Sequence, residues 1–76
     1  MKINATLIYI NTFNEPDIFN DSVEANDNDE ACDVLFEKYN SDNRPDRKVR
    51  RSMSVGDLIK IDNDLYAVVN EGFICI

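Results

Sequence analysis

The run Asp27-Asn28-Asp29-Glu30 gathers carboxylates and an amide, the oxygen donors that hard cations take. A calcium loop also needs ligands at alternate positions, a glycine at its sharp turn and a closing bidentate Glu, and this stretch has no Gly. With Asp27 three residues ahead of Glu30 and an apolar-periodic run behind it, the spacing matches an acidic variant of a helix capping box. Asp62 and Asp64 are a second pair of carboxylates with the elements of acid–base chemistry, but they flank Asn63 in a turn-forming stretch, where Asp side chains bond local backbone. Cys32 lies on the apolar side of the expected helix, and the chain contains no His to activate a thiol or a hydroxyl. Gly56 and Gly72 stand alone, so there is no glycine-rich phosphate loop. The residues point to no enzyme, no catalytic residue, no cofactor and no metal centre.

What the chain offers instead is charge, unevenly placed. Its 76 residues carry 15 Asp plus Glu against 8 Lys plus Arg, a net charge of −7. Residues 15–42 hold ten acids against Lys38, whereas residues 43–51 hold Arg44, Arg47, Lys48, Arg50 and Arg51 against Asp46. On a helix, Asp29, Asp33 and Glu37 fall in one stripe at i, i+4, i+8, with Glu30 close by, repelling one another by a few tenths of a kcal/mol per pair. At 1.5 Å rise per residue the four acids give roughly one charge per 3 Å, close to the ~3.4 Å spacing along one DNA strand. The stripe therefore resembles one strand of phosphates rather than a duplex. The basic belt has no interleaved aromatics on which bases could stack, and the acidic body outweighs it, so direct nucleic-acid contact is not expected. Arg44, Arg47 and Arg51 are instead candidates, with Asp29, Glu30, Asp33 and Glu37, for contact with a protein. The belt is expected to fold back on the acidic helix or to meet an acidic partner.

A chain of this length forms one domain, 1–76, with the basic loop 43–54 inside it. Ile3, Ala5, Leu7 and Tyr9 alternate along a first strand; Asn14-Glu15-Pro16-Asp17 is turn chemistry, and 18–24 returns antiparallel. The helix spans about 28–39, with Ala31, Cys32, Leu35 and Tyr39 in its apolar stripe and Phe36 beside them. After the break at 40–45, strands at 58–61, 65–69 and 73–76 are joined by turns at Asp62-Asn63-Asp64 and Asn70-Glu71-Gly72. The fold class is α+β: an N-terminal hairpin, one amphipathic helix and a C-terminal three-stranded antiparallel meander packed on it. Ala31, Leu35 and Tyr39 are expected to meet Ile3, Leu7, Ile59, Ile61, Val68 and Ile74. Both cysteines are expected to be small buried hydrophobes.

Asn40, Arg44-Pro45, the run Arg51-Ser52-Met53-Ser54-Val55-Gly56-Asp57-Leu58-Ile59, Tyr66 and Gly72-Phe73 together resemble the YodL-like group of small proteins from bacteria, their phages and conjugative elements. The likeness covers about residues 36–76, with Met53 where the group usually has Leu and Leu58-Ile59 where it has two valines. Physically, Ser52 and Ser54 are placed to bond local backbone, Gly56-Asp57 to make a tight turn, and Met53, Val55 and Phe73 to anchor the loop. The resemblance implies a phage or mobile-element context, in which short acidic proteins block host enzymes that act on nucleic acid.

The expected function is a non-catalytic inhibitor of a host nucleic-acid-processing or defence enzyme, of CRISPR or restriction type, bound through the acidic surface. The alternative is a protein-docking or regulatory module whose acidity serves only solubility. No apolar stretch approaches the ~20 residues of a membrane span and no secretory signal is visible, so the expected location is a bacterial host cytoplasm. A C-terminal edge strand makes a homodimer a further expectation.

Overall fold

A computed structural model describes residues 1–10, 16–41, 43–45 and 50–76. The alternation at the start of the chain forms β1 (Lys2–Tyr9), which buries Ile3, Ala5, Leu7 and Tyr9 on one face. Strand β2 (Asp17–Glu24) lies antiparallel beside it, from Lys2 opposite Glu24 to Tyr9 opposite Asp17. The residues 11–15 that lead into it, and with them Asn14 and Glu15 of the expected turn, lie outside the described part.

Helix α1 (Asn28–Asn40) starts as its capping residues dictate. Asp27 is the N-cap, and its carboxylate accepts the Glu30 N–H at 2.8 Å. The Glu30 carboxylate turns to the Asn26 side-chain amide at 3.2 Å, which ties down the residue just ahead of the cap. Ala31, Cys32, Leu35 and Tyr39 are buried, as their helical spacing requires, and Phe36 packs at the margin of the core. At the other end the Met53 N–H donates to the Tyr39 carbonyl at 3.0 Å, and the Asn40 side-chain amide donates to the Met53 carbonyl at 2.7 Å. The last turn of α1 is thereby closed by a residue thirteen positions on.

Strands β3 (Leu58–Ile61), β4 (Asp64–Val69) and β5 (Gly72–Cys75) form the meander. Asp62 begins its first turn at φ 53°, a left-handed conformation that Asp tolerates, and Gly72 begins β5 at φ 127°, which favours glycine. The meander and the N-terminal hairpin are one sheet, because β1 pairs antiparallel with β3 (Leu7 opposite Ile59), giving the order β2-β1-β3-β4-β5. Helix α1 covers one face. Ile59, Ile61, Tyr66, Val68 and Met53 join the β1 and α1 residues in the core, and Tyr9, Phe19 and Tyr39 meet edge to face.

Three expectations about side-chain direction are corrected. Ile74 is 56% exposed on the face away from α1, because Phe73 opposite Val68 takes the helix side. Val55 is also exposed, at the tip of the turn that Ser54 and Asp57 close, while Met53 is fully buried. Cys75 is exposed on the edge strand, whereas Cys32 is buried. In a run as short and uniformly apolar as Phe73 to Ile76, periodicity cannot choose between the two phases of a strand.

Candidate protein-binding surfaces

The first three turns of α1 turn Asp29, Glu30, Asp33 and Glu37 to solvent, all four exposed. Among the described residues, none of these acids forms an ion pair. The helix carries one cation, Lys38, and its ammonium leans away from the stripe to Asp21 on β2, 2.6 Å from Oδ2. The Tyr39 hydroxyl donates to the same oxygen at 2.6 Å, and the Ser22 N–H to Oδ1 at 2.7 Å. Partial burial opposes ionisation of Asp21, but the bonds from Lys38, Tyr39 and Ser22 outweigh it and hold its carboxyl below the ordinary value. Beneath the stripe, burial first and then the Asp29 and Asp33 carboxylates push the Cys32 thiol up to about 12. Its thiolate is suppressed at neutral pH.

Arg44, Arg50 and Arg51 serve the fold. Asp57, fully buried, receives both terminal nitrogens of Arg51 in a fork, Nη2 on Oδ1 and Nη1 on Oδ2, each at 2.7 Å. The same carboxylate accepts the Ile10 N–H at 3.2 Å and the Ser54 N–H at 3.0 Å, so it joins the end of β1 to the loop ahead of β3. That bonding to Asp57 raises the Arg51 guanidinium pKa, against partial burial. Arg51 also lies over the Tyr9 ring at 4.8 Å. Arg50 pairs with Asp17 at 2.6 Å and stacks on Phe19 at 3.8 Å. Arg44 donates to the carbonyls of Ser41 and Arg50, both at 3.2 Å. Arg47 lies outside the described residues. Where the belt is described, Arg50 and Arg51 therefore fold against β1, β2 and the buried Asp57, and Arg44 bonds the C-cap residue of α1 rather than its acidic stripe.

The turn expected at Gly56-Asp57 forms, with the Asp57 N–H donating to the Ser54 carbonyl at 3.1 Å and Gly56 at φ 99°. Sequence reading missed the carboxylate of Asp57. An Asp after a Gly reads as turn chemistry, and nothing in the spacing shows that an Arg six residues earlier comes back onto it. The distinctive residues quoted above share this character. Asn40, Arg44, Arg51, Met53 and Asp57 bind one another's segments, and Phe73 meets Phe36 edge to face.

Among the described residues, no helix lies over the sheet face opposite α1. Strand registers align Ile18, Ile8, Leu58, Ala67 and Ile74 in one apolar row across all five strands. Beside it lies an open polar groove lined by Asn4, Thr6, Asn20, Lys60 and Asp62, in which the Thr6 hydroxyl donates to Asn20 at 2.8 Å.

No protein-family model, curated protein or solved structure matches the chain. The described residues hold no group of three metal-ligating side chains, and no described helix is long and apolar enough to cross a membrane.

Proposed function

We propose that the chain is a non-catalytic phage or mobile-element accessory protein that binds a host protein through α1 and inhibits it. The target in this reading is a nucleic-acid-processing or defence enzyme, whose basic groove the acidic stripe enters in place of a nucleic-acid strand. One observation carries it: Asp29, Glu30, Asp33 and Glu37 are exposed without a described cation beside them, while Lys38, Arg50 and Arg51 are engaged with other carboxylates. A helix of 13 residues spans about 20 Å, enough to follow a short stretch of one strand. The setting in a mobile element follows from the YodL-like motif, and is an analogy from context. A docking surface built on Arg44 and Arg51 has less support, because both guanidinium groups are bonded within the chain.

The test is affinity capture from a bacterial lysate, with wild type beside a variant carrying Asp29→Lys, Asp33→Lys and Glu37→Lys. The expected partner is held at ~50 mM salt, released by ~500 mM, displaced by single-stranded DNA and lost to the reversed variant. A partner that the reversed variant captures equally well would sink the reading.

A further inference from the structure

We infer that β5 is a self-pairing edge, through which two copies of this chain join their sheets antiparallel about a two-fold axis at Ile74. The two ends of the sheet differ in protection. Strand β2 ends it with Asp17, Asp21 and Glu24, charges that discourage another strand from pairing there. Strand β5 ends it with Gly-Phe-Ile-Cys, carrying neither charge nor proline.

Register decides which backbone groups are open. The Ile76 N–H donates to the Leu65 carbonyl at 2.7 Å, and Ile74 lies opposite Ala67, so Ile74 and Ile76 direct their backbone groups inward to β4. The N–H and C=O of Phe73 and Cys75 then point outward. A second β5, running antiparallel about a two-fold axis, satisfies them reciprocally: Phe73 pairs with Cys75 of the other copy, and Cys75 with its Phe73. In that register the two Ile74 residues form the non-hydrogen-bonded pair at the axis, with Cα atoms about 4.5 Å apart. The apolar row Ile18, Ile8, Leu58, Ala67, Ile74 then runs on without a break into its copy. The interface is isologous, as a two-fold pair requires.

The contact is small. A four-residue strand at about 3.3 Å per residue, with side chains on both faces, covers on the order of 300 Å² per copy, against about 800 Å² for a standard interface. The dimer is accordingly weak and reversible, forming at ~0.1–1 mM. Two chains of charge −7 also repel, so added salt favours the pair. That is opposite in sign to the salt dependence of a contact made through the acidic helix, and the two readings stand or fall separately.

Sedimentation of the 76-residue chain should show a dimer fraction that rises with concentration to ~1 mM and is larger at ~500 mM than at ~50 mM salt. Cys75→Pro removes an outward N–H and no internal one, so it should leave a monomer with an unchanged far-UV spectrum. Ile74→Cys in a Cys75→Ser background should form a linked dimer under oxidised glutathione, because paired Cα atoms at that spacing suit a disulfide. Ile18→Cys in the same background, at the far end of the row, should not. A wild-type chain monomeric at ~1 mM in high salt overturns the inference. So does a folded Cys75→Pro chain that still dimerises, or an Ile18→Cys chain that links as readily.

Discussion

Arg51 and Asp57 meet through two parallel hydrogen bonds of 2.7 Å, with the carboxylate fully buried and the guanidinium about a third exposed. Asp57 thereby carries a charge in the core that is neutralised by one side chain and two backbone N–H groups, from Ile10 and Ser54. Removing Arg51 leaves the buried carboxylate with two backbone N–H groups and without the charge that balances it.

Arg51→Ala should therefore destabilise the fold by about 2–4 kcal/mol, the lower part of the range for breaking a buried pair because Arg51 is partly solvated. A domain of this size has a total stability of roughly 4–11 kcal/mol, so the loss is a large share of it and the urea midpoint should fall clearly. Arg51→Lys keeps the charge but loses the fork, and should fall between the two. Urea denaturation of the three chains checks the order; an Arg51→Ala chain as stable as wild type would refute the role given to the pair.

Asp21 sets an acid limit on stability. Its carboxyl titrates below 3.8 in the folded chain, so the ionised form favours folding. That contribution is complete above the unfolded value of 3.8 and is lost as pH falls below it through the folded pKa. Asp21→Asn should cost about 1 kcal/mol at neutral pH, the bonds to Lys38 and Tyr39 being partly exposed, and the cost should shrink toward pH 2. Urea midpoints at pH 7 and near pH 2 measure both; a difference that does not change with pH contradicts the assignment.

The two thiols should react separately. Cys32 is buried with its pKa pushed up to about 12, while Cys75 is exposed on β5. At pH 8 an aromatic disulfide reagent should label one equivalent quickly, at Cys75, and reach Cys32 only when the fold opens. Mass spectrometry of the labelled peptides identifies the site, and prompt labelling of Cys32 would count against the helix packing.

What the sequence showed followed the length of each pattern. Eight residues of β1 and thirteen of α1 repeat their period often enough for a buried face to be read directly, and Ile3, Leu7, Leu35 and Tyr39 are where the alternation and the helical stripe put them. The Asp27 cap was legible for the same reason, since its bond closes over three residues. Strand β5 repeats too little to fix its phase, so Ile74, expected on the helix side, lies on the opposite face and Phe73 packs against the core as expected. Of the candidate site, the acidic residues sit on the solvent side of the helix, as their spacing requires. The destinations of Lys38, Arg50 and Arg51 were not legible, because each pairs with a carboxylate chosen by tertiary approach.

Strand β1 lies between β2 and β3, and the N–H of Ile10, just past its end, reaches Asp57 across 47 residues of sequence. The contacts within the two hairpins and α1 are local and can form on the microsecond scale. The β1–β3 seam is different: it closes a long loop whose entropy must be lost before the paired strands return anything. Folding should therefore divide into quickly formed local pieces and one slow docking step, timed by the arrival of the segment that carries Arg51 and Asp57. Any insertion in the basic belt would then lengthen that loop and slow assembly, even where it left the finished structure unaltered.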